Sequence, residues 1–164
     1  MSSSWRPCLA VELAIAARLD HDPLSPANEL KALIDVASLD GAVVSFVGLA
    51  RSTTSRGAVV DQLVLEHHPN LTQQSLETIA SDAADRFDVS HVRVVHRCGT
   101  IPAGEPIVFA GAAALHRRAA FEAADYLMDR LKTEAVFWKR EVGASGTTWI
   151  EPTDADYANR GRWD

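Results

Sequence analysis

The sequence predicts an α+β fold, and three observations carry that prediction. Three segments repeat apolar residues at helical spacing, several short runs are rich in β-branched residues, and the two kinds do not alternate regularly along the chain. The irregular order argues against a doubly wound parallel sheet. The expected inventory is three helices and six to eight mostly short strands.

Taken in order, residues 8–17 form an apolar patch that Glu12 interrupts, without the basic flank and cleavage site of a leader. Residues 11–15 alternate and suit a first strand. Ser25 before Pro26 reads as an N-cap with proline at the first helical position, and Leu30, Leu33, Ile34 and Ala37 give that helix an apolar stripe. Gly41 opens AVVSFVG, short and β-branched enough for a buried strand, which Gly48 ends or bends. The polar loop STTSRG (52–57) is the best candidate for a mobile segment.

Residues 59–67 alternate as a strand and HHPN turns the chain. Asn70 with Gln73 resembles a capping box, and Leu76, Ile79, Ala80, Ala83 and Phe87 stripe the second helix. Residues 92–97 read as a strand, CGTIPAGE (98–105) as a connection, and 106–114 as a strand of small residues. His116, Arg117 and Arg118 start a third helix expected to bury Phe121, Ala124, Met128 and Leu131, with Lys132 one turn beyond Met128 on the same side.

After Glu134 the pattern changes to Val136, Phe137 and Trp138, which favours a strand. On it Phe137, Lys139 and Glu141 would face one way, Trp138 and Arg140 the other. Residues 143–146 turn the chain into an antiparallel partner at 147–151. The expected organisation is one domain over 1–151, then a polar, loosely ordered tail over 152–164.

Composition excludes several function classes. The chain of 164 residues is 47% hydrophobic and carries a formal charge of −6, so a basic nucleic-acid surface is not expected. No apolar run approaches the ~20 residues that span a bilayer, so no membrane partner is expected. Cys8 and Cys98 lie far apart with no CxxC or Cys/His spacing, which suits buried thiols in a reducing, cytoplasmic compartment. His67 and His68 are neighbours that a strand would point to opposite faces, a poor pair of ligands. His96, at a strand end before a glycine, reads more readily as structural than catalytic. No phosphate loop, dinucleotide fingerprint or zinc spacing occurs, and neither metal nor cofactor is expected.

Chemistry concentrates in LKTEAVFWKRE (131–141), which holds Lys132 and Lys139 in a chain whose other lysine is Lys31. A lysine of lowered pKa can exchange a proton, and an arginine cannot. With Arg51 and the cluster His116, Arg117 and Arg118 at a helix start, these lysines suggest a cationic pocket in an acidic protein. Repulsion within it would lower lysine pKa values and free one lysine for acid–base work.

The segments FVGLAR (46–51), LEHHPN (65–70), HRCGTIPAGE (96–105), HRRAAF (116–121), LKTEAVFWKRE and WIE (149–151) resemble, in order and spacing, the large catalytic subunit of molybdopterin synthase. The resemblance spans residues 41–151. It implies an α/β hammerhead fold with added antiparallel strands. It also implies sulfur transfer from the C-terminal thiocarboxylate of a small ubiquitin-like subunit to cyclic pyranopterin monophosphate, forming the molybdopterin dithiolene. The expected assembly is a central homodimer of large subunits within a heterotetramer.

By the same resemblance Lys132 and Lys139 are the catalytic lysines, with Lys132 beside the thiocarboxylate and Lys139 assisting proton transfer at the pterin. Arg51, His116 and Arg117 match positions for the substrate phosphate and pterin, and Phe46, Met128 and Glu141 match other pocket positions. Val136 stands where the family often has proline, which leaves the helix exit less rigid. Two other readings keep the pocket: a module that binds a ubiquitin-like tail without chemistry, and an enzyme acting on another phosphorylated metabolite.

Overall fold

The computed structural model describes residues 14–164. Cys8 and the first part of the expected N-terminal strand lie outside the described residues. The first sheet has the order β1-β4-β6-β2, from β1 (Ala14–Asp20), β2 (Ala42–Leu49), β4 (His91–Arg97) and β6 (Pro106–Ala114). Its β1 and β4 run parallel, and the other pairs are antiparallel. The second sheet is wholly antiparallel in the order β5-β3-β7-β8, from β3 (Gln62–His67), β5 (Gly99–Pro102), β7 (Phe137–Gly143) and β8 (Gly146–Ile150).

Side chains of the first sheet divide by strand period between two cores. Val92, Val94, Val108 and Ala110 pack under α2 (Pro69–Arg86) and α3 (Arg117–Glu134), against Leu76, Ile79, Ala83, Leu127 and Leu131. Val95, Phe109 and Ala113 face the other way and meet Leu33 of α1 (Pro26–Val36). The residues that alternate along β4 and β6 therefore bind helices on both faces. Small residues on β6 let them approach: a Cβ on Gly111 would stand 2.8 Å from Leu33 Cδ2.

The helix starts follow local chemistry. Ser25 Oγ accepts from the Asn28 amide with Pro26 in the first turn, as expected. The second helix starts earlier than the Asn70 capping box would place it, because Pro69 fixes the first turn. His68 Nδ1 caps it by accepting from Leu71 N, while Gln73 serves β1, accepting from Leu19 N and donating to Ala17 O. Two apolar residues expected inside are exposed: Ile34 on α1, and Phe121 on α3 at 61%. The inward face of α3 runs instead through Ala120, Ala123, Ala124, Leu127 and Leu131.

Two expectations of irregular chain are corrected. Within the connection 98–105, Gly99–Pro102 forms β5, whose Ile101 is fully buried with Leu63 and Leu65. The segment after Pro152 holds a fourth helix, α4 (Asp154–Gly161), and is not loose. Reciprocal capping between Thr153 and Asp156 starts it. Beyond it Trp163 packs edge-on against Tyr126 and Phe87, with its indole N–H donating to Asp129. A polar helix held by a cap and one aromatic anchor has little apolar periodicity to betray it.

Candidate functional site

Lys132 stands in the last turn of α3 and Lys139 in the middle of β7, and both line one cavity of about 430 Å³ between the two sheets' edges and the helix end. Phe46, Arg51, Met128 and Glu141 line it too, so six of the eight expected site residues meet there. Strand alternation puts Lys139 and Glu141 on the cavity side, while Trp138 is exposed and Arg140 pairs with Glu66. The remaining two, His116 and Arg117, do not meet the lysines. They line a separate open groove with Gly41, Leu115, Arg118 and Phe121. The single cationic pocket expected from the sequence is therefore two clusters within one chain.

The chain between the lysines is firmly held. Val136, where the resemblance led us to expect proline, donates its amide to Ser75 Oγ, and its carbonyl accepts from Thr72 Oγ1 at 2.6 Å. Both partners sit on α2, so the helix exit is pinned by side-chain bonds where proline would have stiffened the backbone. Leu65 and Ile150 then flank Lys139 across the second sheet.

Electrostatics separates the two lysines. Burial first, then the charge of Lys132, pushes the Lys139 ammonium below its usual range, and Asp156 opposes the shift. Lys132 is about half exposed and forms a 3.5 Å ion pair with Asp156. Asp156 is itself held below the usual carboxylate range, chiefly by the Thr153 backbone amide, with Lys132 contributing. The expected cause, mutual repulsion, thus ranks behind burial.

His96 also lines the cavity. It is buried, stacks on Phe137 with ring centroids 4.3 Å apart, and donates Nδ1–H to the Arg97 carbonyl at 2.8 Å. Burial and then the nearby Lys139 lower its pKa to about 3, so it is a neutral ring at neutral pH. This packing suits the structural role expected of His96. Asp156 was missed, although the Thr153–Asp156 spacing of a capping pattern was its available signal.

An aromatic and aliphatic wall with two lysines and an arginine set among three carboxylates, Glu141, Glu151 and Asp156, suits a partly planar ligand that carries an anionic group. Cations can hold its charge, and Lys139, lowered and half-buried, can exchange a proton with it.

Comparison with known proteins places the chain in a family. The family described as MoaE protein matches residues 19–134. A molybdopterin synthase catalytic subunit from Caulobacter vibrioides is 44% identical over 146 residues, covering 89% of this chain and 95% of that protein. One from Escherichia coli (strain K12) is 43% identical over 124 residues, covering 76% of this chain and 82% of the relative. The solved structure of molybdopterin cofactor biosynthesis protein E from Burkholderia multivorans superposes with a TM-score of 0.74 at 33% identity, covering 93% of this chain and 97% of the other. With matches of this extent and identity, the chain belongs to the MoaE protein family.

Proposed function

We propose that this protein is the catalytic large subunit of a molybdopterin synthase, transferring sulfur from a thiocarboxylated ubiquitin-like small subunit to cyclic pyranopterin monophosphate. The single observation that carries the reading is the convergence of Lys132 and Lys139 on one cavity, in a chain with near-full-length relatives that bear that name. In each transfer a carbon–sulfur bond forms on the pterin side chain as the carbon–oxygen bond at that carbon breaks, its oxygen leaving as water or on the phosphate; water then breaks the acyl–sulfur bond, leaving a carboxylate on the donor tail. In this reading Lys132 receives the thiocarboxylate and Lys139 moves protons at the pterin. Arg51 holds phosphate, and Phe46, Met128 and Glu141 shape the pterin side.

The half-buried, lowered Lys139 supports acid–base work better than a purely electrostatic role, since a tail-binding module needs only charge. Replacement by arginine separates the two: arginine retains binding of the partner and loses turnover. His116 and Arg117 serve the same substrate only if a second copy of the chain supplies them, because their groove is separate from the lysine cavity. We therefore propose a homodimer within a heterotetramer, acting in the cytoplasm. Mixing a Lys139→Ala chain with an Arg117→Ala chain tests it: shared sites restore about a quarter to a half of the activity, and self-contained sites restore none.

A further inference from the structure

The end of β1, the end of β3 and the junction between β4 and β5 bring together three residues far apart in sequence. They are His21, just after Asp20; His67, the last residue of β3; and Cys98, between Arg97 and Gly99. One ligand atom from each, two imidazole nitrogens and the thiol sulfur, all lie within 4.8 Å of one another. Cys98 Sγ is 3.3 Å from His21 Nδ1, and the His21 and His67 rings meet edge-on with centroids 5.1 Å apart. Neighbouring His68 is excluded, because its Nδ1 is committed to the Leu71 amide at the start of α2.

We infer that His21, His67 and Cys98 form a binding site for a borderline-soft divalent cation of the zinc class. Thiolate and imidazole together select such ions over calcium or magnesium, which prefer oxygen. Bond lengths of about 2.0–2.1 Å to nitrogen and about 2.3 Å to sulfur put tetrahedral ligand atoms roughly 3.3–3.6 Å apart. The Cys98–His21 pair already has that separation, and the pairs that include His67 lie within 4.8 Å, a gap that side-chain rotation on binding would have to close. Exposure grades from His21 through half-buried His67 to buried Cys98, so the ion enters from the His21 side and keeps a water as fourth ligand. The Asp20 carboxylate is occupied by Arg18 and the Asp22 amide.

The backbone already prepares the site. Cys98 N donates to Asp20 O at 2.9 Å, fixing the thiol beside the β1 end. His67 lies opposite Phe137 in the β3–β7 register, and Phe137 stacks on His96. A bound ion would clamp the second sheet, which carries Lys139, to the first. Binding replaces the thiol proton by the metal, and that proton leaves to solvent.

Cobalt(II) is the direct probe, added to metal-free full-length protein carrying Cys8→Ser so that one thiol remains. The expected result is a thiolate-to-cobalt charge-transfer band with intense tetrahedral visible absorption, saturating at one equivalent and displaced by zinc. His21→Ala, at an exposed position, keeps the fold and weakens binding by at least ~10-fold; Cys98→Ser abolishes the charge-transfer band. Zinc should raise the melting temperature of the parent and leave that of His21→Ala unchanged. A spectrum without the charge-transfer band, or equal affinity in parent and His21→Ala, overturns the site and attributes any binding to other histidines.

Discussion

His96 and Lys139 line the same cavity, and burial drives each toward its neutral form. For His96 the folded pKa of about 3 lies below the ordinary 6.5, so the unfolded chain binds the extra proton between those values. Its contribution to stability is complete above about pH 6.5 and falls as pH drops toward 3, by at most about 1.4 kcal/mol per pH unit. His96→Asn keeps a donor for the Arg97 carbonyl and removes the titration. Urea unfolding from pH 7 to pH 4 should therefore show a shallower loss of stability in that variant, and parallel curves would contradict the neutral buried ring. Lys139→Ala should lower turnover by ~100-fold or more, as expected for loss of a proton-transfer group, with the melting temperature nearly unchanged. Loss of folding instead would make Lys139 structural.

Among the elements, the join between α3 and β7 sets the geometry of the site, since it carries one lysine on each side. Thr72 and Ser75 of α2 hold Val136 from both ends. Thr72→Val leaves the Val136 carbonyl and the His68 amide without a partner, a cost of about 1–3 kcal/mol in denaturant. It should also reduce turnover more than partner binding, because β7 loses its anchor. An unchanged turnover would show that β3 and β8 alone position Lys139. The C-terminal segment makes a second such test: Trp163→Ala should cost about 1–3 kcal/mol, less than the ~3–5 of a fully buried tryptophan, and a neutral effect would mean α4 is not docked. Both joins show why the sequence was legible only in part. The stripe of α2, from Leu76 through Ala83, and the alternation that aims Lys139 and Glu141 can be read from period alone. The pinning of Val136, the strand at Gly99–Pro102 and the docking of α4 depend on partners distant in sequence, where period carries no signal. Phe121 was placed inside by period and is exposed, because small Ala120, Ala123 and Ala124 let α3 lie on the sheet through a neighbouring face.

In the whole molecule, two sheets meet where the lysine cavity opens, and the cations expected to meet the substrate are split between that cavity and the groove at His116 and Arg117. The residue types of both clusters were legible in the sequence, while their separation was not, since linear order says nothing about which side of the sheet a helix start occupies. The central claim is that the paired lysines transfer sulfur from a partner's thiocarboxylate. It is tested most directly by single-turnover conversion of the pterin precursor with a small subunit ending in a thiocarboxylate. The account predicts dithiolene formation with the parent chain, none when the partner ends in an ordinary carboxylate, and losses of ~100-fold or more in Lys132→Ala and Lys139→Ala with partner binding retained. Full conversion by both lysine variants, or none by the parent chain, would contradict it.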